Sequence, residues 1–104
     1  MELGYLKTLI VDQAKAHGKD ELSLERRALY LVSETGEVAK EVLRLADPWQ
    51  RDIQDIRVNA LGKELSDIVW NCFVMAEMLG LELDECIVGK IAELEDRWKR
   101  IISQ

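Results

Sequence analysis

The stretch Leu61-Gly62-Lys63-Glu64-Leu65-Ser66-Asp67-Ile68-Val69-Trp70-Asn71-Cys72-Phe73-Val74-Met75-Ala76-Glu77-Met78-Leu79 decides the fold. Apolar side chains recur at 61, 65, 68, 72, 75, 76 and 79, the spacing of one face of an α-helix. Gly80 ends the pattern, and a short Gly80-Leu81-Glu82 turn leads into a further helix, about Leu83 to Ile102. The stripe of that helix is Leu83, Ile87, Ile91, Leu94, Trp98 and Ile101. Upstream, positions 24, 28, 31, 35, 38, 42 and 45 form a stripe that is apolar except at Thr35. Ser23 is placed to cap this helix, although Arg26 stands where a capping box needs Glu or Gln. Asp47-Pro48 stops it, because the residue before proline avoids the α region. Positions 3, 6, 9/10 and 14 predict a first helix, about Leu3 to His17, broken at Gly18-Lys19-Asp20. Pro48 to Asn59 reads either as a loop or as the opening of the third helix.

Four helices with short connections predict an all-α four-helix bundle, one domain over residues 1–104. Several helices are long for 104 residues and 11.9 kDa. Burying more of each stripe predicts completion by oligomerisation, as a homodimer or homotetramer. One proline and six glycines count against a turn-rich β fold, and 48% apolar residues count against disorder.

Twenty acidic residues against fourteen basic ones leave a net charge of −6. That balance excludes simple binding of nucleic-acid polymers, which basic surfaces hold. A small phosphorylated substrate whose charge is carried by a divalent metal stays open. Cys72 and Cys86 both sit inside apolar helical patterns, so neither a disulfide framework nor a thiolate metal site is expected. No basic-then-apolar leader opens the chain, and the charge-free run Ile68 to Ala76 is far short of the roughly 20 residues that span a bilayer. No membrane partner and a reducing, cytoplasmic setting are therefore expected.

Residues three apart share a helix face. The second helix carries Glu34 and Glu37, with Glu41 one turn on; the third carries Glu64 and Asp67, with Asn71 one turn on. A chain this acidic should show about four such pairs by chance, so spacing alone also fits a merely solvated face. Position relative to the stripes separates these pairs from the rest. Glu34 and Glu64 border their stripes, and Glu37 and Asp67 lie one step further out on the same side, whereas Glu82/Glu85 and Glu93/Asp96 point away from theirs. Should the two helices pack side by side, four carboxylates converge. Such a group raises at least one pKa unless a cation joins it. Mg²⁺ suits an all-oxygen set that keeps waters and phosphate oxygens, and the lack of a Cys or His cluster disfavours zinc or copper. Gly36 and Gly62 beside the acids fit either close helix approach or space for a ligand.

These residues resemble the all-α NTP pyrophosphatase superfamily, in particular the MazG-like nucleoside triphosphate pyrophosphohydrolases. The family's Glu-x-x-Glu and Glu-x-x-Asp helices read here as Ser33-Glu34-Thr35-Gly36-Glu37-Val38-Ala39 and Lys63-Glu64-Leu65-Ser66-Asp67-Ile68-Val69. The family's late Lys and Arg-aromatic pair read as Lys90 and Arg97-Trp98, and the resemblance covers about residues 22 to 98. It departs at Leu94, where many relatives have Asn; at Ser33, where many have a second Glu; and at Arg44-Leu45, where some nucleotide-selective relatives have an aromatic. Base selectivity is therefore not carried over.

The resemblance implies hydrolysis of a nucleoside triphosphate between its α and β phosphates, giving a monophosphate and pyrophosphate. Glu34, Glu37, Glu64 and Asp67 would hold Mg²⁺, with Mn²⁺ as a substitute, and Glu37 would act as base to the attacking water. Lys90 and Arg97 would hold the outer phosphates; otherwise their stems cover a core edge. Asn71 would bond base or sugar, or else a neighbouring helix. Tyr30, Trp49, Trp70 and Trp98 are candidates to stack on a base, with Trp98 on the core stripe and Trp70 off it. His17 suits a helix C-terminus. Two rival readings are a phosphoribosyl-ATP pyrophosphohydrolase, against which Asn71 counts because that group usually has a His there, and a non-catalytic helical interaction module.

Overall fold

The computed structural model describes residues 2–19, 22–47, 49 and 54–103, with side chains from 56 onward in the last stretch. Its order is α1 (Leu3–Ala16), α2 (Leu24–Leu45), α3 (Gln54–Leu79) and α4 (Leu83–Ser103), an all-α arrangement of four helices with no strand among the described residues. The ambiguous segment after Pro48 is thus helical from Gln54; positions 48 and 50–53 lie outside the described residues.

Local chemistry sets the ends. Ser23 Oγ accepts from the Arg26 backbone N–H at 3.2 Å, a side-chain cap for a donor that the first helical turn leaves unpaired. Gly80 takes φ +68°, and the N–H groups of Gly80 and Leu81 close on the carbonyls of Glu77 and Ala76 at 3.2 and 2.8 Å. That double closure is a Schellman motif, and the left-handed residue at its centre is one only glycine adopts at little cost. His17 ends α1, its N–H bonded to the Gln13 carbonyl at 3.2 Å.

The apolar core lies between α1 and α3: Ile10, Ala14, Phe73 and Val74, with Leu6, Trp70, Met78 and Leu83 packed around them. Phe73 and Val74 fall outside the stripe read from the sequence, which placed Leu65 and Leu79 inward; both of these are exposed. Helix α3 has two faces to cover, one against α1 and one against α2, and a single-stripe reading resolves only one. Helix α2 differs again. Its most deeply buried positions are Arg27 and Glu41, while Ala28, Thr35 and Val42 of the stripe are exposed.

Helices α2 and α3 form the largest interface, α1 packs on α3, and α4 touches α3 only slightly. No residue of α4 is buried. Lys7 donates to Glu82 Oε2 at 2.6 Å, tying α1 to the turn before α4 and holding the lysine above its ordinary pKa through that hydrogen bond. No helix among the described residues is long and apolar enough to cross a membrane.

Candidate metal and substrate site

Two pairs of neighbours fix how α2 and α3 run past each other. Arg27 meets Asn71, and Glu34 meets Glu64. Seven residues up α2 correspond to seven residues down α3, so the helices are antiparallel. The same step sets Glu41 opposite Arg57, where Glu41 Oε2 and Arg57 Nε are each buried without a hydrogen bond. The polar edge of α2 is therefore the edge that α3 covers.

At the middle of this seam, carboxylate oxygens of Glu34, Glu64 and Asp67 all lie within 4.8 Å of one another. Glu34 and Glu64 are half-buried and Asp67 is exposed. None of the three has an ion-pair partner among the described residues. Withdrawal from water pushes the Glu34 carboxyl above its ordinary range, and a hydrogen bond to Glu64 and the charges of Asp67 and Glu64 push it the same way. A hard divalent cation would offset this crowding, since every donor is a carboxylate oxygen. The trio thus fits a divalent ion.

The other residues expected at the site are placed as follows. Glu37 is half-buried one turn beyond Glu34, and its Oε1 lies 3.6 Å from Lys40 Nζ rather than among the trio. Asn71 is buried, accepting from Arg27 Nη1 at 3.2 Å and donating to the Asp67 carbonyl at 3.1 Å. Lys90 and Arg97 are exposed on α4, and both reach Glu93 of their own helix, at 3.2 and 3.5 Å. Neither lines a pocket that holds the acids. Gly36 and Gly62 face open space, since an added Cβ at either would meet nothing within 4 Å, so close helix approach is not their reason within this chain.

Beside the trio lies a pocket of about 330 Å³, lined by Lys19, Leu22, Arg27, Tyr30, Glu34, Asp67, Trp70 and Asn71. Trp70 is fixed in its wall by donating from Nε1 to Gln13 Oε1 at 3.0 Å and by packing on the α1–α3 core. Of the four aromatics considered for stacking, Tyr30 and Trp70 line this pocket; Trp49 and Trp98 do not. Arg27 and Lys19 escaped the sequence reading. A signal for Arg27 was present, because it stands seven residues before Glu34 and so on the same helix face.

The model of the MazG nucleotide pyrophosphohydrolase domain matches residues 22–102. This chain belongs to that family. The match spans α2, α3 and nearly all of α4, and so includes both acidic motifs of this MazG domain. No curated protein and no solved structure matches the chain.

Proposed function

We propose that this MazG-family chain catalyses Mg²⁺-dependent hydrolysis of a nucleoside or deoxynucleoside triphosphate to the monophosphate and pyrophosphate, in a nucleotide-pool-cleansing role. The carrying observation is the trio Glu34, Glu64 and Asp67, held within 4.8 Å inside the stretch that matches the family, with no ion-pair partner among the described residues. Mg²⁺, or Mn²⁺ in its place, would be held by this trio with Glu37 beside it, and when bound would neutralise phosphate charge and lower the pKa of water. Glu37, outside the trio, serves as base. A water oxygen bonds to phosphorus at the α–β bridge, the bridging P–O bond breaks with its electron pair on the departing phosphate, and the water proton passes to Glu37. Asn71 orders the pocket that receives the nucleotide. No nucleophilic Ser or Cys is required. Both cysteines are free, which suits a reducing, cytoplasmic setting.

The working unit in this reading is a homo-oligomer, a dimer at least. The chain exposes 7905 Å², roughly 2,000 Å² more than a compact protein of its mass. Its radius of gyration is 17.1 Å, against about 13 Å for a compact domain of this length. Losing that excess from each of two chains fits an obligate interface. The apolar stripe of α4 supplies the surface, and Lys90 and Arg97, which border that stripe, then reach substrate bound to a neighbouring chain.

The test is pyrophosphate release from a panel of ordinary and damaged nucleoside triphosphates, with Mg²⁺ and with EDTA. Metal-dependent release from at least one supports the reading. Absence of turnover across the panel would overturn it and leave a helical interaction module.

A further inference from the structure

We propose that Arg27 is a built-in anion receptor that grips the outer phosphates of the substrate; the assignment of those phosphates rests on the hydrolase reading above. Arg27 is 4% exposed yet contributes to the wall of the pocket that Glu34 and Asp67 also line. A guanidinium withdrawn this far from water normally has a carboxylate partner, because burying an isolated charge costs several kcal/mol. Arg27 has none among the described residues.

Neutral groups hold it instead. Nη1 donates to Asn71 Oδ1 at 3.2 Å and Nη2 to the Lys19 carbonyl. The guanidinium carbon lies 5.3 Å from the Trp70 ring centre and 6.0 Å from that of Tyr30, within the range of cation–π attraction. Nε has no hydrogen-bond partner among the described residues. These contacts fix the position and plane of the fork, and no carboxylate among the described residues cancels its charge. A carboxylate in their place would have neutralised it.

The pocket is consequently polar along its length. Glu34 and Asp67 line it where a divalent ion fits, and Arg27, held by the Lys19 carbonyl, lines it further along α2. Two helical turns, about 10 Å along the axis, separate Arg27 from Glu34. A metal-bound polyphosphate matches this alternation, with its bridged phosphates at the acids and its terminal phosphate at the guanidinium fork. Phosphate accepts two parallel N–H bonds from arginine, a match that a neutral base carbonyl lacks in charge. Asn71, with its oxygen and amide nitrogen both engaged within the protein, acts as a positioning residue for Arg27.

Binding of inorganic tripolyphosphate and of a nucleoside monophosphate, measured by calorimetry at saturating Mg²⁺, tests this. Arg27→Met should weaken tripolyphosphate by about 10- to 100-fold, the worth of a charged hydrogen bond. Monophosphate affinity should change less than twofold, and Arg27→Lys should recover part of the loss. Equal tripolyphosphate affinity in Arg27→Met and wild type overturns the receptor. So does a selective loss of the monophosphate, which would make the pocket a nucleobase site. Should Arg27→Met fail to fold, the Arg27 Nε–H resonance of the wild type decides: it shifts on adding tripolyphosphate, or the proposal falls. The two readings fail separately. A wild type that releases pyrophosphate from nucleotides while Arg27→Met leaves KM and tripolyphosphate binding unchanged removes only the receptor. Arg27-dependent tripolyphosphate binding without any nucleotide turnover removes only the hydrolase.

Discussion

The α2–α3 seam and the face of α4 reverse the usual relation between polarity and burial. The seam buries Arg27, Glu41 and Asn71, residues that prefer water. Helix α4 buries nothing, although Ile91, Trp98 and Ile101 line one face of it and are 60%, 55% and 61% exposed. An amphipathic pattern states what a helix is able to bury; neighbours determine what it does bury. Polar burial at the seam has a cost, and a ligand that pairs with those groups offsets it. Apolar exposure on α4 has a cost of the opposite kind, which a second copy of the chain would offset in the proposed oligomer.

The sharpest way to break this contrast is at the acids. Glu64→Gln keeps size and helix propensity but removes one charge from the trio. Loss of a charged metal-holding group at a phosphoryl-transfer centre should lower kcat by at least about 100-fold. Circular dichroism should be unchanged, since Glu64 is only half-buried. Steady-state pyrophosphate release measures the first and far-ultraviolet spectra the second. A fully active Glu64→Gln protein would reduce the trio to surface charge and leave the seam with no function to explain its polarity.

Helix α4 is next. Trp98→Glu places a charge on the exposed stripe at a residue outside the buried core. Aromatic residues at interface centres commonly contribute 2 kcal/mol or more, so the self-association constant should fall by about 30-fold or more. Sedimentation velocity across a dilution series measures it. In an obligate oligomer the melting temperature falls as well, because association stabilises the fold by mass action. Unchanged sedimentation would mean that the stripe is a solvated surface, and Lys90 and Arg97 would then have no route to a neighbouring chain's site.

How much of this was legible in the sequence depends on which forces act along one helix and which act between helices. Helix ends at Ser23, Leu79 and Gly80 follow from capping and backbone chemistry a few residues long, and these were readable. The facing of Glu34 toward Glu64 and Asp67 was readable too, because the same offset from two stripes survives packing. Phe73 and Val74 were not, since α3 serves two neighbours and its pattern is the sum of two faces. Arg27 was missed for a related reason. An arginine is taken for surface until a second helix supplies Asn71 to accept its hydrogen bond and Trp70 to cover it. Among the described residues Lys90 and Arg97 pair only with Glu93 of their own helix, and a role at the site would depend on a partner that one sequence does not reveal.

The smallest effect is also the most discriminating, because its sign changes with metal. Glu34 keeps its proton to higher pH in the folded chain than in the unfolded one, first because it is drawn out of water and then because Glu64 and Asp67 crowd it. Below the unfolded glutamate value, near 4.3, both states hold the proton and the group contributes no difference. As pH rises through the window up to the folded pKa, the folded state binds more protons, so stability falls with rising pH. Above the folded pKa the full penalty is present. Glu34→Gln removes that penalty. In EDTA the variant should therefore melt higher than wild type at pH 7 to 8, and the gap should close toward pH 4. Saturating Mg²⁺ should reverse the order at pH 7 to 8, since the wild type then gains binding free energy through the carboxylate that the variant lacks. Calorimetric scans of both proteins, with EDTA and with Mg²⁺, follow the crossing. Parallel melting curves at every pH, with or without the ion, would show that the three carboxylates do not interact and that the seam holds no cation site.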